Sequence, residues 1–96
     1  MPEDSRPKKI HVAHILVQHE YEAQDLAKKI ALGSDFSQLA AKFSSCPSRQ
    51  RGGDLGEMAT DRLNQDFVEA AIKLQTDEIS APVRTRFGWH LIKRIN

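Results

Sequence analysis

Residues 46–58 read CPSRQRGGDLGEM, the one long stretch of the chain with neither helical nor strand periodicity. Ordering such a loop is costly in conformational entropy, so it is expected to have a task. Pro47 fixes φ at one point, while the Gly52-Gly53 pair and Gly56 admit φ > 0 at others, a combination that predicts a shaped loop and not a flexible linker. The stretch opens on the only cysteine, carries Arg49 and Arg51, and closes on Asp54-Leu55-Gly56, a short apolar step suited to re-entering a sheet. A ligand has room to lie across it.

Toward the N-terminus, residues 35–44 read DFSQLAAKFS and place Phe36, Leu39, Ala40 and Phe43 at i, i+3, i+4 and i+7. This stripe predicts a helix behind an Asp35 cap, with Gln38 three residues on in a loose capping-box relation, ending near Ser45. Residues 20–32 predict an earlier helix from Ala23, Leu26, Ala27 and Ile30, with Gly33 where a left-handed cap would sit. Residues 9–18 are apolar on both alternating faces, Ile10, Val12, His14 and Leu16 on one and His11, Ala13, Ile15 and Val17 on the other. Apolar on both faces predicts a central strand. Residues 1–7 have no periodicity, and residues 1–8 are expected to form a flexible end before a domain over 9–96.

Toward the C-terminus, residues 54–58 predict a short strand and 59–62 a turn. Asn64 is a good cap for a third helix whose stripe is Phe67, Ala71 and Leu74. Thr76-Asp77 breaks it. Residues 79–84 suit a strand but contain Pro82, which belongs at a sheet edge. After a turn at Phe87-Gly88, residues 89–95 alternate, with Trp89, Leu91 and Ile95 on one face and Gly88, His90 and Ile92 on the other. The order β-α-α-β-α-β-β predicts an α+β fold with a small, mainly antiparallel sheet.

Length and composition narrow the function. With 96 residues, 40% of them apolar, there is room for one domain and one modest core. Fourteen basic against thirteen acidic side chains give a net charge of +1, and the basic residues are scattered, so no nucleic-acid or anionic-membrane partner is expected. One cysteine cannot close an internal disulfide, which fits a reducing compartment or a chain that does not depend on redox state. No apolar run approaches the roughly 20 residues of a membrane span, and residues 1–9 lack an apolar signal core. A complete chain would then be cytoplasmic; a domain of a longer or exported protein would look the same.

Five blocks taken together, AHILV (13–17), DFSQLAAKFS (35–44), CPSRQRGGDLGEM (46–58), LNQDFVEAAIKL (63–74) and APVRTRFGWHLIKRI (81–95), resemble the parvulin family of peptidyl-prolyl cis/trans isomerases. The match begins near residue 10 and runs to the end, in family order and spacing. It implies a four-stranded antiparallel sheet surrounded by three to four helices, the FKBP-like superfold, with a shallow site on one side. It also implies a monomer without a cofactor, acting on proline-containing segments of client proteins.

Rotation about a prolyl amide has a barrier of roughly 20 kcal/mol and takes tens to hundreds of seconds uncatalysed. The twisted amide loses resonance, its nitrogen growing more basic and its carbonyl more ketone-like. Catalysis asks for an apolar cup for the ring, exclusion of water and polar groups that favour the twisted form. Carried over by the resemblance, the cup is Leu55, Leu63 and Phe67, with Phe87 also against the substrate and Asn64 within reach of its backbone. The polar set is His14, Cys46, Thr85 and His90. His14 and His90 lie on strands that the family pairs, so their imidazoles are expected to share a hydrogen bond, with Thr85 anchoring one end. The plain alternative is that the two histidines only satisfy each other and hold the strands in register, as the apolar three would be plain core.

For Cys46, electrostatic tuning of the site, simple packing and covalent attack are all open. The family has members with aspartate at this position, which favours tuning. His11 and His14, three apart on a strand, point to opposite faces and cannot chelate one ion, so no metal is expected. His19 is expected to face solvent. Phosphate-directed members carry a basic cluster after the first strand; here Gln18, His19, Glu20, Tyr21 and Glu22 stand there, so no phosphoserine preference is expected. Arg49 and Arg51 are expected to be solvated loop charge, with a weak attraction for acidic residues as the alternative. Leu63 replaces a frequent methionine, Asp61 a common glycine, with a left-handed backbone in prospect, and Asp66 a frequent proline. Two other classes fit parts of the pattern: a parvulin-fold chaperone module with little activity, and a Cys-His hydrolase, which lacks a third orienting acid.

Overall fold

In the computed structural model, which describes residues 7–96, the chain runs β1 (Lys9–Val17), α1 (Glu20–Ala31), α2 (Phe36–Phe43), β2 (Asp54–Ala59), α3 (Gln65–Ile72), β3 (Val83–Thr85) and β4 (Gly88–Arg94). The strands form one antiparallel sheet in the order β2-β1-β4-β3. β1, apolar on both faces, is interior as its pattern predicts, and it pairs with β4 so that His14 stands opposite Ile92 and Leu16 opposite His90. The expected flexible end lies outside the described residues apart from Pro7 and Lys8, whose carbonyls accept hydrogen bonds from Thr60.

Each face of the sheet has its own cover. Ala13, Ile15, Val17 and Leu91 pack against Ala23 and Leu26 of α1 and Phe36 and Ala40 of α2. Ile10, Val12 and Ile92, on the opposite face, pack against Phe67 and Ala71 of α3. Both helices on the first face are capped as expected: Asp35 accepts from the Gln38 N–H (3.1 Å), and Gly33 leaves α1 at φ +105°. Phe43 departs from its stripe. It ends α2 exposed, its ring covered by the ammonium groups of Lys29 and Lys42 at 5.2 and 5.4 Å.

The aperiodic stretch resolves into a 3-10 helix, Pro47–Arg51, a left-handed step at Gly52 and Gly53, and β2 at the sheet edge. Pro47 takes the first helical position, where its missing N–H is not needed. A side chain on Gly52 would stand 2.6 Å from the Ser37 Cβ, and one on Gly53 would stand 2.4 Å from the His14 carbonyl oxygen. The loop is thus pressed between α2 and β1, and the Gly53 carbonyl accepts the His14 N–H at 2.9 Å.

Two local expectations change. Asp61 does not adopt the left-handed backbone; it lies in a 3-10 turn, Thr60–Arg62, and the described non-glycine residue with positive φ is Asp77 (68°). The strand predicted over 79–84 shrinks to Val83–Thr85. Pro82 has no N–H for the ladder, and upstream of it a lone bridge from Ile79 to Lys93 and the Ser80 hydroxyl, which accepts from the Ile92 N–H at 3.0 Å, replace regular pairing.

Candidate active site

β-strand periodicity puts His14 and Leu16 of β1 on the same side as Ile10 and Val12, and His90 of β4 beside Ile92. α3 covers one half of this face. The other half is a hollow of about 260 Å³ walled by His14, Leu16, Cys46, Leu55, Leu63, Asn64, Phe67, Phe87 and His90. Every residue of the expected cup reaches it, as do His14, Cys46 and His90 of the polar set. Thr85 stands behind His90 and not in the wall. A larger groove of about 490 Å³ runs between α1 and Phe43, but it is lined by Glu22, Gln24, Asp25 and Lys28 among others and holds neither imidazole nor thiol.

The polar groups form a chain. The Phe87 N–H donates to Thr85 Oγ1 (3.1 Å), Thr85 Oγ1 lies 2.7 Å from His90 Nε2, and His90 Nδ1 lies 3.0 Å from His14 Nδ1. Two neutral arrangements satisfy it. Either Thr85 donates to His90 and His90 to His14, or His14 donates to His90 and His90 to Thr85. Both leave His14 Nε2 as the far end of the chain, buried and without a hydrogen-bond partner among the described residues.

The rings are nearly parallel, 19° apart with centroids at 5.2 Å, and Phe67 stands perpendicular to both at 5.6 and 5.3 Å. Burial lowers the His14 pKa to about 4, helped by the neighbouring His90, and burial lowers that of His90 to about 4. Both imidazoles are therefore neutral at pH 7.

Cys46 is half-buried at the opening of the 3-10 helix. Its sulfur accepts a hydrogen bond from the Ser48 hydroxyl at 3.3 Å. Its main chain is tied to β1 through Ser44, whose Oγ accepts from the Leu16 N–H (3.1 Å) and the Cys46 N–H (3.3 Å). Asn64 caps α3: its Oδ1 accepts from the Asp66 and Phe67 N–H groups at 2.9 and 3.3 Å, which leaves only its amide N–H groups for a ligand. Phe87 is 52% exposed at the mouth, with the Arg86 guanidinium 4.9 Å from its ring centroid. Among the described residues no carboxylate lines the hollow.

Two residues of the site were not among those expected. Leu16 follows from the alternation that places it beside His14. Ser48 has no comparable signal, because one hydroxyl in an aperiodic loop carries no spacing. His11 points away from His14 and pairs with Asp54 (Nε2 to Oδ1, 2.6 Å). The Asp54 carboxyl is held below the usual carboxylate range first by the Gly56 N–H and then by His11.

A neutral imidazole pair, a thiol and aliphatic and aromatic walls suit a reaction that rearranges an amide without cleaving it. Residues 13–96 match the rotamase family, the PPIC-type PPIase domain, and the chain belongs to this family of peptidyl-prolyl isomerase domains. It is 45% identical over 91 residues to the foldase protein PrsA of Clostridium acetobutylicum, covering 93% of this chain and 27% of that protein. The crystal structure of PrsA from Bacillus subtilis superimposes with a TM-score of 0.89 at 40% identity, covering 93% of this chain and 35% of that one. The solution structure of NmPin, the parvuline of Nitrosopumilus maritimus, gives 0.82 at 36% identity and covers 94% and 98%. The chain thus spans about a third of the length of the PrsA proteins it matches and nearly all of NmPin.

Proposed function

We propose that this domain accelerates rotation about Xaa-Pro bonds by seating the pyrrolidine ring against Leu55, Leu63 and Phe67 while His14, Cys46 and His90 face the amide. The observation that carries the proposal is Phe67, one ring that packs in the α3 core and stands against both imidazoles. The dry wall removes water, which would favour the planar, resonance-stabilised amide. Polar edges there act in a low dielectric and cost little reorganisation. The buried His14 Nε2 end of the chain sets the polarity of the pair from behind the wall, and the rings meet the amide through their faces and edges in the hollow. Thr85 orients His90, and Asn64 and Phe87 border the path of the flanking peptide. No step requires a cofactor.

The substrates are proposed to be proline-containing segments of folding proteins, a reading supported by the foldase name of the PrsA relatives. A phosphoserine preference is not part of it: β1 passes into α1 through Gln18 and His19 alone, and Glu20 and Glu22 fill the first turn. A monomer suffices, since one chain supplies the whole wall. Among the described residues no helix is long and apolar enough to cross a membrane. A purely peptide-binding module is the second reading, favoured by the domain's place within much longer foldases. The thiol and both imidazoles in one wall favour catalysis.

The test is the refolding of a protein whose slow phase is a prolyl isomerisation, tens of seconds in length. The domain is expected to accelerate that phase in proportion to its concentration. An unaltered slow phase, with the client still bound, would assign the domain to binding alone.

A further inference from the structure

We propose that Ser48 is a positioning residue for this reaction, its hydroxyl holding the acceptor side of the Cys46 sulfur so that the thiol proton turns into the prolyl hollow. The proposal rests on the reading of Cys46 as part of the site.

Ser48 is 3% exposed, yet its hydroxyl donates to a sulfur, a weaker acceptor than oxygen. The backbone around the pair is itself fixed by hydrogen bonds. The Cys46 carbonyl already accepts from the Arg49 N–H at 3.0 Å, and the Ser48 carbonyl accepts from the Gly53 N–H at 2.9 Å. The two side chains are also held in place from both ends of the loop. Upstream, Ser44 ties the Cys46 N–H to β1, and the Ser45 N–H donates to the Leu16 carbonyl at 2.8 Å. Downstream, Gly52 and Gly53 press on Ser37 and His14 too closely to admit a side chain.

A sulfur that accepts a hydrogen bond on one side presents its own S–H elsewhere. The Cys46 side chain forms part of the wall of the hollow. The proton then points where a bound amide would lie, as a donor that gains strength toward the amide nitrogen as its lone pair localises on twisting. Ser48 touches no substrate and is not in the wall; its influence passes through the thiol.

The experiment is a double-mutant cycle over wild type, Ser48→Ala, Cys46→Ala and the double variant. It reads melting temperature, peptide Kd and the cis/trans exchange rate of an Ala-Leu-Pro-Phe peptide at saturation. Ser48→Ala is expected to slow exchange on the order of fivefold at unchanged Kd, the worth of one hydrogen bond, and to add nothing in the Cys46→Ala background. Ser48→Thr, which keeps the hydroxyl, is expected to recover most of the rate. Equal slowing in both backgrounds, or full exchange in Ser48→Ala, would overturn the proposal.

With one cysteine in the chain, the infrared S–H stretch reports this thiol alone. It is expected to shift when peptide binds the wild type, and a band indifferent to peptide would overturn the proposal even if Ser48→Ala does not fold. Failure of the parent reading looks different: Cys46→Ala would then exchange at the wild-type rate, whatever Ser48→Ala does.

Discussion

Phe67 packs on Ile10, Val12 and Ile92 and also forms the floor of the hollow beneath both imidazoles. Cys46 faces the same hollow from the loop with a much smaller side chain. Their loss should therefore be felt differently. Phe67→Ala is expected to raise the peptide Kd about tenfold through lost ring contact, on top of a loss of stability of roughly 3–5 kcal/mol. Cys46→Ala is expected to lower the exchange rate at saturation while Kd stays within about twofold. Titration and exchange measurements on the two folded variants check this; proportionate losses of binding and rate in both would show that cup and polar set are not separate. At this scale the sequence was informative where a residue belongs to a repeating pattern. Leu16 shares the β1 alternation with His14, whereas Ser48 owes its place to hydrogen bonds inside an aperiodic loop, where spacing carries no signal.

The elements were more legible than the residues between them. β1 announces itself as interior by being apolar on both faces, and α2 and α3 by a stripe behind an Asp or Asn cap. The failures lie where one backbone group overrides a pattern. Pro82 shortens the strand expected over 79–84, and the residues at Asp61 fold into a 3-10 turn that needs no left-handed step. At the start of α3, Asn64 satisfies two orphan N–H groups and Asp66 adds an acid in the first turn, suited to the helix dipole. Asn64→Ala is accordingly expected to cost about 1 kcal/mol in a denaturant titration. It should also weaken peptide binding, because α3 carries Phe67 into the hollow. An unchanged midpoint would mean that α3 is held by packing alone.

For the whole molecule, the two buried histidines tie the site to stability. Both have folded pKa values of about 4, below the ordinary 6.5, so the unfolded chain binds protons that the folded chain refuses. Their contribution is complete above pH 6.5 and is lost as pH falls from there toward 4, with a slope of up to about 1.4 kcal/mol per pH unit for each imidazole. Asp35 and Asp54, whose pKa values are lowered, act in the same direction in a more acid window. Unfolding free energies measured between pH 7 and 4 are expected to decline through that range, and a flat profile would mean that the pair accepts charge at no cost. The same burial that makes acid harmful keeps both imidazoles neutral at pH 7, so stability and proposed chemistry draw on one arrangement. The most direct test of that arrangement is two-dimensional exchange NMR on an Ala-Leu-Pro-Phe peptide at neutral pH with catalytic amounts of the domain. Cis/trans cross-peaks are expected to build up far faster than the uncatalysed tens of seconds; cross-peaks no faster than in the peptide alone would contradict a catalytic role for the hollow.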